Sequence, residues 1–235
     1  MTAALAPTRT IALRSLLVER FPNAVLLPER SAPSLATGFA PLDRILPNGG
    51  LPRGRMVVWQ SKTGGATAIL RTACLGVVNR GERAAWVDGG KTIGPSWIQG
   101  PLVVRPDHPD LALRATEILL RSGGFALVIL TGIEPDQTGM LRLSRMVHEG
   151  QGAFIALTER GLTASIRLTS RFLVDQFRWS AGPFGTVAAV DAVSVEISVK
   201  ASGWSERTTV SLPAKAHDLR LSLEPGLADR RGALD

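Results

Sequence analysis

Short apolar runs alternate with helix-patterned stretches through the middle of the chain, and this rhythm restricts the fold more than any other feature of the sequence. Residues 125–130 read Phe-Ala-Leu-Val-Ile-Leu. A strand of that composition has no polar side to show to water. Both its faces must be covered, as in a parallel sheet with helices on either side. Residues 56–59, 84–87, 102–104 and 153–157 are further short β-prone runs. Between them lie helical repeats. Ala66, Ile69, Leu70, Ala73 and Val77 fall on one helix face after a Gly64-Gly65 turn, and Gly81 closes that unit. Leu111, Ala115, Ile118 and Leu119 mark a second helix, and Met140, Leu143 and Val147 a third. Repeated strand, helix, strand predicts an α/β fold with a central, mostly parallel sheet flanked by helices.

The final third has a different period. Val193, Val195, Ile197 and Val199 alternate with Ser194, Glu196, Ser198 and Lys200, as in a strand with one wet face. Residues 171–177, 207–212 and 219–223 also read as strands, so an antiparallel meander should join the parallel part. At the other end, Leu13, Leu16, Leu17 and Phe21 recur at helical spacing and Pro22 ends the pattern. Residues 24–27, with Val25 and Leu27, form a short apolar strand. Residues 29–54 are rich in Pro, Gly and Ser and read as a linker with turns. The expected organisation is an N-terminal helix and strand over residues 1–30, a core over 31–225 and a flexible tail over 226–235.

Composition narrows the class of function. Hydrophobic residues are 45% and charged residues 20% of the chain, enough for an ordinary core, which excludes global disorder. No run approaches the ~18 apolar residues of a membrane span, and residues 1–30 lack a basic-then-apolar leader pattern. A soluble, cytoplasmic protein is expected. Cys74 is the sole cysteine and His108, His148 and His217 are scattered, so neither a disulfide framework nor a metal-ligand spacing is present. The net charge of +7, carried mainly by arginine, is compatible with a polyanionic partner without requiring one. The five tryptophans are too dispersed for a stacking platform, and Trp59 and Trp86, on expected core strands, read as packing residues.

The first strand, turn and helix stand where a phosphate-binding loop would stand. Such a loop has the pattern G-x-x-x-x-G-K-[ST]: backbone N–H groups cradle the phosphates, the lysine neutralises them and the hydroxyl ligates magnesium. Here the segment runs from Gln60 to Thr67. Gly65 and Thr67 are kept, Gly64 precedes them, Gln60 replaces the first glycine and Ala66 replaces the lysine. Without that cation a triphosphate is left poorly compensated, at a cost of a few kcal/mol. Lys62 would have to turn back into the loop to substitute. The favoured reading is a strand-to-helix turn that uses glycine for its geometry.

The lead-in identifies a family resemblance. Leu35-Ala36-Thr37-Gly38, Pro41-Leu42-Asp43 and Gly49-Gly50-Leu51-Pro52-Arg53-Gly54-Arg55 resemble the approach to the phosphate loop of the bacterial RecA recombinase core. The resemblance extends over most of the chain and implies a RecA-like fold. It also implies that the N-terminal helix and strand, through Leu13, Leu16, Leu17, Phe21, Val25 and Leu27, dock on a neighbouring protomer. The catalytic positions do not follow. Thr131 stands for the magnesium-organising aspartate, Gly90 for the catalytic glutamate and Glu159 for the nucleotide-sensing glutamine. With Ala66, these changes imply a pseudo-ATPase with no nucleotide or metal cofactor, since charge neutralisation and water activation are both missing.

The two RecA DNA loops are represented only by residues 132–139 and 160–163, and residues 164–174 resemble RecA's next helix and strand. Arg160, Arg167 and Arg171 are the candidates for weak DNA contact. A short RecA-like chain with a degenerate nucleotide site is most similar to the ImuA family, accessory proteins of bacterial mutagenesis cassettes in SOS translesion synthesis. That resemblance implies RecA, an ImuB-type polymerase-like protein and an error-prone replicative-type polymerase as partners, with self-association through the same docking segment. Two other readings stand beside it. One is a divergent ATPase using Lys62 with Asp88 or Glu159, and the other is an ATP-independent DNA-binding module.

Overall fold

The stretch read as a linker is largely folded. The computed structural model describes residues 34–93, 100–158, 164–181, 187–201 and 203–214, all within the unit Pro33–Asp235. Two short strands, β1 (Ser34–Leu35) and β2 (Leu51–Pro52), pair antiparallel around helix α1 (Ala40–Ile45). The cause is the leucine content that the turn residues obscured: Leu35, Leu42, Leu46 and Leu51 are all buried in the core. Asp43 fixes the start of α1 by accepting from Thr37 N (2.9 Å) and Thr37 Oγ1 (2.8 Å).

The apolar runs become parallel neighbours. These are β3 (Met56–Ser61), β4 (Ala84–Asp88), β5 (Leu102–Val104), β6 (Leu127–Thr131), β7 (Ala153–Thr158) and β8 (Ile166–Phe172). β9 (Arg178–Ala181), β10 (Val187–Ala201) and β11 (Trp204–Pro213) complete the sheet in antiparallel pairings. The order across the sheet is β11-β10-β8-β3-β7-β6-β4-β5, with β9 paired to β10 off this path. This is the α/β class read from the sequence: a mostly parallel sheet with antiparallel strands towards the C-terminal side.

Helices α1 and α2 (Ala66–Asn79) cover one face, where Leu42, Ile69, Leu70, Ala73 and Val77 pack on Val57, Trp59, Trp86 and Ile155. Helices α3 (Pro109–Arg121) and α4 (Gln137–Gly150) cover the other over the parallel strands, against Met56, Val58, Val128 and Phe154. The five α2 face residues read from the sequence are buried, as are Met140, Leu143 and Val147 of α4. On α3 the helix is present but the face is displaced. Leu111 and Ile118 are 52% and 62% exposed, and Ala112, Thr116 and Leu120 point inward. Thr116 tolerates this burial because its hydroxyl donates to Ala112 O at 2.8 Å, leaving no orphaned polar group.

β8 corrects a second expectation. The sequence predicts a strand over 171–177 and the RecA resemblance implies a helix and strand over 164–174; the strand runs Ile166–Phe172, no helix is found over the described residues 164–174, and residues Val174–Gln176 form a 3-10 turn. The period of two decides the register: Ile166, Leu168 and Ser170 are buried, while Arg167 and Arg171 are exposed. The N-terminal helix and strand, the strand at 219–223 and the tail lie outside the described residues. No described helix is long and apolar enough to cross a membrane.

Candidate functional site

The glycine turn joins the end of β3 to α2 and is tied to β8. Lys62 N donates to Ser170 O (3.0 Å), Phe172 N donates to Thr63 Oγ1 (2.7 Å), and Ser170 Oγ is 3.2 Å from Gly64 O. Trp59 Nε1 donates to the same Ser170 Oγ at 3.1 Å, so the buried indole anchors the ladder from below. Gly64 has φ +129° and Gly65 φ +88°, both in the region that favours glycine. Their surroundings also demand the absence of a side chain. A methyl on Gly64 would fall 2.5 Å from Phe172 Cε2, and one on Gly65 would fall 2.8 Å from Val195 Cγ2. The side of the turn facing β8 and β10 is thus filled with hydrocarbon. Gln60 is half-buried at the end of β3, Ala66 is buried at the start of α2, and Thr67 is exposed.

The strand ends next to the turn are similarly closed. Thr131, at the end of β6, accepts from Trp86 Nε1 at 3.0 Å. Gly89 N donates to Thr131 O at 2.9 Å, which draws the chain after β4 against the chain after β6. At Gly132 the approach is so close that an added methyl would lie 2.1 Å from Gly90 N. Gly90 itself is exposed, and a Cβ there would meet Gly132 Cα at 3.3 Å. Asp88 is fully buried and acts as the cap of the following loop. Its Oδ1 accepts from Thr92 N (3.0 Å) and Thr92 Oγ1 (3.1 Å), its Oδ2 accepts from Ile93 N (2.8 Å), and Arg105 Nε lies 3.8 Å away. Arg105 also donates to Ile93 O.

These residues do not fit a magnesium-bound triphosphate. Buried Ala66 opens α2, the chains after β4 and β6 meet at Gly90 and Gly132 beside Thr131, and both oxygens of Asp88 hold the protein's own loop. Among the described residues no cluster of three or more His, Cys, Asp or Glu is placed to hold a metal ion. Glu159 lies outside the described residues, as do Arg160 and the docking residues Leu13, Leu16, Leu17, Phe21, Val25 and Leu27. Cys74 is buried on α2, and desolvation pushes its thiol up to about 12, which leaves no thiolate at neutral pH.

The structure brings the turn residues together with Asp88 and Thr131 at one end of the sheet, and it separates Arg167 from them along β8. Arg167 and Arg171 project from the same face, and among the described residues only Arg171 of the two is neutralised. Its Nε is 2.7 Å from Glu196 Oε1, and Arg207 NH1 approaches Glu196 Oε2 at 3.3 Å. The hydrogen bond from Arg171, assisted by the charge of Arg207, holds the Glu196 carboxyl below its ordinary value.

The pattern of the RecA N-terminal domain matches residues 27–166, more than half of the chain. The chain belongs to the RecA N-terminal domain family. The RecA protein of Thermus thermophilus is 30% identical over 115 residues, covering 46% of this chain and 34% of the relative. The RecA protein of Caulobacter vibrioides is 33% identical over 108 residues, covering 43% and 30% respectively. The match thus spans about a third of the length of these curated relatives. Among solved structures, the RadB recombinase superposes with a TM-score of 0.54 at 15% identity, covering 77% of this chain and 96% of that one, a likeness of fold.

Within this RecA-family frame, sequence reasoning missed the residues that fill the turn. Phe172 and Val195 reach Gly64 and Gly65 only through sheet pairing, and no local pattern marks them. Lys200 was legible as an outward residue of an alternating strand, but its neighbours across the sheet were not.

Proposed function

We propose that this chain is a non-catalytic RecA-family accessory protein that works in the cytoplasm through protein contacts. The observation that carries this reading is the glycine turn with alanine in the lysine position and the Phe172 and Val195 side chains packed against its two glycines. Such a site lacks the cation and the metal carboxylates that phosphoryl transfer requires. Engagement of Asp88 by the 92–93 loop speaks against a divergent ATPase built on Lys62 and Asp88. The resemblance to the ImuA family supports a place in damage-induced translesion synthesis. The partners are then RecA, an ImuB-type polymerase-like protein and an error-prone replicative-type polymerase, with residues 8–27 as the docking segment.

Two measurements on purified protein test this. Calorimetry with ATP and magnesium at high micromolar protein should give no binding heat; saturable heat abolished by Lys62→Ala would establish the ATPase reading instead. A chain lacking residues 1–27 should lose RecA in a pull-down, and undiminished binding would remove that segment from the interface.

A further inference from the structure

We infer that the groove between α4 and the starts of β3 and β8 docks an acidic peptide segment of a partner protein, one that carries a single large apolar anchor. The groove has a volume of about 930 Å³ and lies at the end of β3 opposite the glycine turn. One wall is a row on α4, Gln137, Leu141, Ser144, Arg145 and His148, whose spacing of three and four residues keeps them on one side of the helix. The other wall is the chain entering β3, with Gly54 and Arg55, and the chain entering β8, with Ala164 and Ser165. The chain leaving α4 is fastened to that wall. Gly54 N donates to Gly152 O at 2.8 Å, and a methyl on Gly54 would meet the Gln151 amide at 3.3 Å. The groove is therefore built into the fold and present without rearrangement.

Its floor is hydrocarbon and its rim is cationic. Met56 and Met140 line it at 8% and 6% exposure, and Leu141 beside them is 62% exposed. Thioether side chains adapt their shape to an incoming group, so this patch suits one aliphatic or aromatic anchor. At the rim, Arg55, Arg145 and His148 stand with one carboxylate, Glu149. Ala164 and Ser165 also line a smaller depression bordered by Arg167 and Lys200. Those two are directly opposed across β8 and β10, where like charges are destabilising. Among the described residues Arg145, Arg167 and Lys200 form no ion pair. Four permanent cations thus face Glu149 along one continuous path, and carboxylates that follow an anchor seated at Leu141 relieve their repulsion.

Other occupants match only half of these features. A small ligand site encloses most of its ligand, whereas all five residues of the α4 wall are exposed. A polynucleotide would use the cations and leave Met56, Met140 and Leu141 without a partner. A second copy of this chain brings a net charge of +7, and like-charged surfaces repel. An acidic segment with an apolar anchor fills the floor and neutralises the rim together. The groove uses none of residues 8–27 and none of the glycine turn, so it goes beyond the accessory role proposed above and is tested apart from it.

The test is fluorescence anisotropy of the full chain with a panel of short labelled peptides. Each carries one leucine, phenylalanine or tryptophan, then a spacer of varied length and a run of glutamates; control peptides lack either the anchor or the glutamates. The best anchored acidic peptide should bind about 10-fold more tightly than either control. Leu141→Ser should weaken it by about 5- to 10-fold through lost apolar contact. Arg145→Glu should weaken it by about 10-fold or more through charge reversal. Both positions are exposed, so both variants should melt with the wild type. Arg114→Glu, at an exposed position of α3, should bind as the wild type does. No preference for anchored acidic peptides, undiminished binding by either groove variant, or an equal loss in Arg114→Glu would overturn the inference. So would displacement of the peptide by oligothymidine as effective per charge as by unlabelled peptide, which would make the groove a polyanion surface. A change in the sedimentation of the protein alone on Arg145→Glu would make it a self-association surface and overturn the inference as well.

Discussion

Gly64→Ala is expected to destabilise the protein by about 2–6 kcal/mol through two separable causes. The first is backbone strain. Gly64 has φ +129°, which an L-residue adopts only at a cost of about 1–3 kcal/mol. The second is collision. The new Cβ would sit 2.5 Å from Phe172 Cε2 and 2.8 Å from Cζ. The ring cannot retreat freely because it is set edge-on to Phe177, with centroids 5.9 Å apart and planes at 89°. Overpacking of this kind costs about 1–3 kcal/mol. In a Phe172→Ala background the collision disappears and only the backbone term remains. Phe172→Ala alone should cost less than the ~3–5 kcal/mol of a fully buried phenylalanine, because the ring is half-buried. A four-protein cycle by urea denaturation should therefore show a coupling of about 1–3 kcal/mol between the two positions. Additivity within about 0.5 kcal/mol would mean that the ring does not sit against the turn. The packing argument for the proposed non-catalytic role would then be lost.

Two further outcomes are expected. Ser170→Ala should cost about 1–3 kcal/mol in guanidinium unfolding, because it strands the buried Trp59 Nε1 donor and unties Gly64 O; a change below about 0.5 kcal/mol would show that this ladder is dispensable. For Glu196, the depressed carboxyl contributes stability that is present above its unfolded value near 4.5 and is lost as pH falls through the lower folded value. The thermal midpoint of Glu196→Gln should lie below that of the wild type at neutral pH and converge with it as the solution is acidified through that range, and a gap that persists at strongly acid pH would assign the effect to something other than ionisation.

Several features were readable because their cause is local. The apolar runs at 125–130 and 153–157 had to become two-face-buried strands, since no other arrangement hides such residues. The α2 and α4 faces followed from helical spacing, and the Val193 to Val199 alternation fixed which side of β10 is wet. Other features were misread for equally physical reasons. Prolines and glycines in residues 29–54 masked leucines that the core needs. On α3 the spacing of Leu111, Ala115, Ile118 and Leu119 marks the helix, but the sheet meets a neighbouring face with Ala112, a self-satisfied Thr116 and Leu120, leaving Leu111 and Ile118 exposed.

The chain's own order of residues thus determined the α/β architecture and the glycine turn at Gly64-Gly65 that leads into Ala66, because each depends on neighbours a few positions away. Only the folded sheet decided that Phe172 and Val195 close over that turn and that Arg167 faces Lys200. Those relations join residues far apart in sequence, and strand register, which depends on burial across the whole sheet, is what brings them together.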